Sequence, residues 1–66
     1  MEVEKIMDRF YKGFFARNIM LCVKKYGNRY SVILYDLNNK ACSGINARLS
    51  DVTEYLERKL ALVSRA

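Results

Sequence analysis

Two cysteines, Cys22 and Cys42, are the most reactive side chains of this chain, and no histidine accompanies them. A cysteine nucleophile is usually activated by a neighbouring base, most often histidine. A structural zinc site usually needs four Cys or His ligands, which two thiols cannot supply within one chain. We therefore interpret both cysteines as small apolar side chains, and we expect neither a metal nor another cofactor.

Other catalytic patterns are also missing from the sequence. There is no glycine-rich phosphate loop, and none of the serines lies in a nucleophile elbow. The seven acidic residues fall mostly on predicted helix surfaces or at the ends of elements, rather than in a converging pair. The sequence therefore predicts a protein that is not an enzyme and that has no small-molecule substrate.

Cationic and aromatic residues alternate around the centre of the chain, at Lys24, Lys25, Tyr26, Arg29 and Tyr30. Such a mixture suits stacked nucleic-acid bases and backbone phosphates. It is equally typical of ordinary strand ends, where tyrosines fill space and lysines discourage sheet-to-sheet aggregation. Both interpretations stay open, and Lys24, Tyr26 and Arg29 are the candidate nucleic-acid contacts.

A helix is predicted from residue 2 to about residue 17, because its apolar residues recur at helical spacing. Lys5, Arg9 and Lys12 cluster on the opposite side, as a row of phosphate contacts or as a solvated face. Gly13 weakens the last turns by about 1 kcal/mol relative to alanine, which favours fraying or bending there. The apolar stripe consists of Val3, Ile6, Phe10 and Phe14.

Two β-prone runs, Ile19–Tyr26 and Arg29–Asp36, flank Gly27 and Asn28 and predict a hairpin. Glycine at the first central position supplies the positive φ of a type II′ turn. The turn fixes a register in which paired residue numbers sum to 55. One strand face then carries the pairs Leu21 with Leu34 and Val23 with Val32, which form the predicted core.

The other face of this hairpin is apolar at the end remote from the turn, where it carries Met20, Cys22, Ile33 and Tyr35. If both helices pack on the Leu/Val face, these four side chains are exposed and suit a partner or a second subunit. If one helix covers each face, they are core. The sequence leaves both arrangements open.

The remaining elements are a tight turn, a short third strand and a second helix. Asparagines at residues 38 and 39 favour left-handed conformations in the turn, and residues 40–45 form an edge strand or a loop. Ser50 is the predicted N-cap of the second helix. Glu54 and Arg58 have the i,i+4 spacing of a favourable ion pair on that helix.

The predicted fold class is α+β, with one domain over residues 1–66 in the order helix, strand, strand, short strand, helix. This order resembles the double-stranded-RNA-binding domain in outline. That family has a run of lysines at the start of its second helix, where residues 50–53 here are Ser-Asp-Val-Thr. The resemblance is therefore one of topology, and no family membership follows from it.

The size and charge of the chain limit its stability and its partners. At 66 residues it buries only about 60% of its unfolded surface, so self-association would support a marginal core. The formal charge is +5, of which residues 1–33 carry +4 (seven basic minus three acidic). This charge suits nucleic acid or an acidic protein, and it is also typical of a soluble domain.

Neither a secretory signal nor an apolar run of membrane-spanning length is present, so we expect a cytoplasmic protein with reduced thiols and no membrane association. The leading hypothesis is a small regulatory module that binds another protein or a second copy of itself through Met20, Cys22, Ile33 and Tyr35. The alternative hypothesis is a DNA- or RNA-binding domain, in which the hairpin tip acts together with the basic residues of the first helix.

Overall fold

A computed structural model of the chain describes residues 2–65 and has the predicted α+β order. One sheet with the strand order β1-β2-β3 is antiparallel throughout. Met1 and Ala66, which the predicted domain included, lie outside the described residues. The elements are α1 (Glu2–Phe15), β1 (Ile19–Tyr26), β2 (Arg29–Asp36), β3 (Ala41–Ala47) and α2 (Leu49–Ser64).

The β1–β2 hairpin has the predicted bounds and register. Gly27 adopts a φ of 62°, whereas Asn28 is not among the residues with positive φ, as a type II′ turn requires. Every β1–β2 pair sums to 55, including Leu21 opposite Leu34. The glycine therefore fixes which side chains share a face of the sheet.

The third strand is present, and it extends to Ala47 rather than ending at residue 45. Its turn differs from the prediction in one respect, because the left-handed residue is Lys40, with a φ of 54°, and not an asparagine. The asparagines instead bind the carboxylate of Asp36, which accepts hydrogen bonds from the backbone N–H groups of Asn38 and Asn39 at 2.9 and 3.2 Å. This side-chain-to-backbone bonding shapes the turn without a left-handed asparagine.

Helix α1 ends at Phe15, two residues before the predicted end, and Asn18 then adopts a left-handed φ of 60°. Gly13 lies within the regular helix where α1 meets α2. A Cβ atom at this position would lie 3.1 Å from Leu60 Cδ1. The absence of a side chain at Gly13 thus permits a close approach of the two helices, which offsets its low helix propensity.

Helix α2 begins at Leu49, and the prediction of Ser50 as its N-cap is wrong. Arg48 is the N-cap and makes no side-chain capping bond, while its carbonyl oxygen accepts from the Val52 N–H at 3.0 Å. The first turn therefore closes earlier than the sequence indicates. The predicted pair is present farther along, with Arg58 Nη2 2.7 Å from Glu54 Oε1.

Both helices pack on the Leu/Val face of the sheet, which decides the question that the sequence left open. α1 lies mainly on β1, while α2 contacts β2 and β3. Phe14, Val32, Val52 and Leu56 are completely buried at the centre of this layer. The rest of the core consists of Ile6, Phe10, Ile19, Leu21, Val23, Tyr30 and Leu34. The second sheet face has no helix of the described chain on it.

Candidate binding surface on the open sheet face

The face of the sheet that points away from both helices is called the open face. Strand alternation places on it every second residue of each strand, in rows that cross the sheet. The rows are, in order toward the hairpin tip, Met20-Tyr35-Cys42, Cys22-Ile33-Gly44, Lys24-Ser31-Asn46 and Tyr26-Arg29. The first two rows are the apolar half of the open face, and the last two rows are the polar half.

All four residues predicted as a partner-binding set come together in the apolar half. Met20, Ile33 and Tyr35 are 37%, 42% and 38% exposed, and Cys22 is also exposed. Val32, the neighbour of Ile33 on the helix side, is completely buried. The alternation of side chains along each strand thus places the core residues on one face of the sheet and a contiguous, solvent-exposed apolar set on the other.

Gly44 keeps the centre of the apolar half flat, a role that the sequence did not reveal. It lies directly opposite Ile33 in the β2–β3 ladder. A Cβ atom at Gly44 would lie only 2.1 Å from the carbonyl oxygen of Val32, so the strands pair this closely only with glycine. Because glycine offers no cross-strand side chain, Ile33 remains uncovered on the β3 side.

The polar half carries the hairpin tip and a fixed cation. Tyr26 lies opposite Arg29 and is 60% exposed. Arg29 Nε donates to Asn46 Oδ1 at 3.2 Å, and Arg29 Nη2 donates to the Asn46 carbonyl oxygen at 3.0 Å. Lys24 occupies the next row and is also exposed. Asn46 lies one residue beyond the predicted third strand, so the sequence did not place it on the open face. The signal that could have done so is its spacing of two residues from Gly44, which puts both on the same face of β3.

Lys25 and Tyr30 point to the opposite side, where they bind the start of α1. Tyr30 Oη donates to Glu2 Oε2 at 3.0 Å, and Lys25 Nζ lies 3.5 Å from the same oxygen. The Tyr30 hydrogen bond, followed by the Lys25 charge, lowers the pKa of Glu2. Burial, followed by the Glu2 hydrogen bond, raises the pKa of Tyr30. These two residues therefore anchor α1 and are not part of the open face.

The basic residues of α1 lie in the helix layer, so the sheet separates them from the cations of the polar half. Lys5, Arg9 and Lys12 are all exposed. Arg9 forms an ion pair with Glu57 of α2, and its guanidinium lies 4.9 Å from the centre of the Phe10 ring. The structure thus brings together Lys24, Tyr26 and Arg29 as predicted, but it does not join the basic residues of α1 to them.

Among residues 2–65, no acidic side chain lies on the open face. Asp36, at the end of β2, pairs with Ile19 and Ala41 and points to the helix side, where its carboxylate binds the turn. The other six acidic residues lie on the helices: Glu2, Glu4, Asp8, Asp51, Glu54 and Glu57. Lys24 and Arg29 are therefore the charged strand residues of the open face, and no carboxylate of residues 2–65 lies on that face to neutralise them.

Cys22 and Cys42 are both exposed free thiols on the apolar half. They belong to β1 and β3, with β2 between them, so their backbones are about 10 Å or more apart. This separation is too large for a disulfide within one chain. Among residues 2–65, no three His, Cys, Asp or Glu side chains come close enough to hold a metal ion.

An exposed aromatic pair on the outer flank of α1 is a further feature of the surface. Tyr11 and Phe15 stack with ring centres 5.6 Å apart and planes at 10°, and Phe15 is 52% exposed. Tyr11 is partly buried against the core, beside the apolar stripe of the helix. The i,i+4 spacing of the two residues is the signal that predicts such a contact on a helix.

Comparisons with protein-family models, with curated proteins and with solved structures gave no match to this chain. In the part of the chain that the structure describes, neither helix has the length and apolar character needed to cross a membrane.

Proposed function

We propose that this protein is a non-enzymatic binding module that acts by protein–protein contact, and that a second copy of the chain occupies the apolar half of the open face. The observation that carries the proposal is the exposure of Met20, Ile33 and Tyr35 on a sheet face that neither helix covers. Contiguous apolar surface of this kind is typical of interaction sites.

A second copy fits this surface because of the way charge is distributed along it. A twofold axis that crosses the strands reverses their direction, so the two apolar halves overlap while the hairpin tips point to opposite ends. Lys24 and Arg29 of the two copies then remain far apart and solvated.

The area of the apolar half predicts a weak dimer. Three strands about 4.8 Å apart and two rows about 7 Å apart cover roughly 14 by 14 Å, which is far less than the roughly 800 Å² per partner of a standard stable interface. Association should therefore depend on protein concentration. It would also bury apolar surface for a domain whose own core is small.

The test is a pair of variants that place the same new charge on different halves of the open face. Tyr35→Glu introduces a carboxylate into the apolar half and should give a monomer, whereas Tyr26→Glu at the tip should leave the dimer intact. Molecular mass is measured by light scattering and sedimentation equilibrium in reducing buffer, over about a hundredfold range of concentration.

Circular dichroism of both variants checks that they are folded. A wild type that stays monomeric throughout, or a dimer that Tyr35→Glu leaves unchanged, would overturn the proposal. Loss of the dimer to the same extent in Tyr26→Glu would also contradict it, because the contact would then not be confined to the apolar half.

A further inference from the structure

The proposed dimer contact involves only the apolar half of the open face, so the polar half remains available for another ligand. It combines two cations with the most exposed tyrosine of the sheet, and no acidic side chain shares the face with them. Every Asp and Glu side chain is on the helix side of the molecule, as described above. The field above the hairpin tip is therefore positive, although acidic and basic groups are mixed on the helices.

Arg29 is held in place before any ligand arrives. Its two hydrogen bonds to Asn46 fix the guanidinium across β2 and β3, while Nη1 donates to no group among residues 2–65. A guanidinium that is already ordered loses less conformational entropy when it binds a phosphate. The free guanidinium donors of Arg29 thus lie beside the exposed ring of Tyr26, its partner in the β1–β2 ladder.

We propose that Lys24, Tyr26 and Arg29 bind single-stranded nucleic acid, with a base stacked on the Tyr26 ring and phosphates contacted by Lys24 and Arg29. An unpaired base exposes the face that stacks on an aromatic ring, whereas a duplex hides its base faces within the stack. An acidic protein would engage the cations but would gain little from the ring. The ring and the cations together therefore favour a single strand.

This site lies outside the apolar half and does not depend on dimerisation. The proposed site does not include the basic residues of α1, since Lys5 and Lys12 are in the helix layer on the other side of the sheet. That separation provides a control for charge. Lys24→Glu with Arg29→Glu and Lys5→Glu with Lys12→Glu each lower the formal charge from +5 to +1, since each substitution subtracts two.

The experiment is fluorescence anisotropy at low salt with a labelled single strand of about 12 nucleotides, within the usual size range of such sites. The Lys24→Glu/Arg29→Glu variant should bind at least about tenfold more weakly than wild type, while the Lys5→Glu/Lys12→Glu variant retains most of the affinity. Two phosphate contacts predict that the logarithm of the affinity falls with the logarithm of salt concentration with a slope of about 1.4.

The role of the ring is tested separately. Tyr26→Leu should weaken binding roughly 5- to 150-fold, the range for loss of one stacked base, and Tyr26→Phe should bind like wild type. Circular dichroism confirms folding of each variant. Two competition arms use the duplex of the same sequence and polyglutamate, and both should compete poorly.

Four results would overturn the proposal: no binding at low salt, equal losses in the two charge variants, no difference between Tyr26→Leu and Tyr26→Phe, or competition by duplex or polyglutamate as strong as by the single strand. The last result would identify a duplex-binding or acidic-protein-binding surface instead. Because the assay does not measure molecular mass, its failure leaves the dimer proposal to its own test.

Discussion

Adjacent phenylalanines in α1 provide a sensitive test of how the core is arranged. Phe14 is completely buried between the sheet and α2, whereas Phe15 is 52% exposed. A chain of 66 residues has a free energy of unfolding of about 3 to 10 kcal/mol, at 0.05–0.15 kcal/mol per residue. Loss of a buried phenylalanine side chain costs about 3–5 kcal/mol, which is between roughly a third and all of that stability.

Phe14→Ala should therefore be largely unfolded, or have a greatly lowered urea midpoint. Phe15→Ala should lose only about 1 kcal/mol, because half the side chain is already in water and alanine is the better helix former. Circular dichroism during urea titration measures both variants. Phe14→Leu gives a folded comparison if the alanine variant does not fold. Equal destabilisation at the two positions would refute the arrangement in which Phe14 faces the sheet and Phe15 faces water.

Two further predictions concern groups outside the core. Because the Tyr30 hydrogen bond and the Lys25 charge lower the pKa of Glu2, their contribution to stability is present above pH 4.5, the ordinary pKa, and is lost as the pH falls through the lower folded value. Urea midpoints between neutral and acidic pH should thus fall less in Glu2→Gln than in wild type, and an identical fall would contradict this linkage. The exposed thiols of Cys22 and Cys42 should both react with a thiol reagent in the folded monomer. A protected thiol in dilute solution would show that something covers the open face.

Local rules were enough to predict the hairpin completely. Gly27 is the residue at which a tight turn of the correct twist could form, and the turn then determines every β1–β2 pair. The same alternation placed Met20, Cys22, Ile33 and Tyr35 on one surface. These inferences succeeded because turn geometry and strand periodicity act over a few residues.

Local rules failed for other features, most of which depend on residues distant in sequence. Gly44 weakens a strand by local propensity, yet it is the residue that allows β3 to approach Val32 so closely. Ser50 is a good local N-cap, yet α2 begins before it because the main chain of Arg48 closes the first turn. Arg9 meets Glu57 across 48 positions of sequence, a contact that no local pattern predicts.

The sequence by itself determined the element order, the hairpin register and the two sets of residues on the open face. Only the tertiary structure decided that both helices pack on the Leu/Val face, because that choice depends on how α1 and α2 fit together at Gly13 and Leu60. One-sided packing makes the apolar half a surface instead of core. It also places the acidic residues on the helix side, which leaves Lys24 and Arg29 as unneutralised cations beside Tyr26.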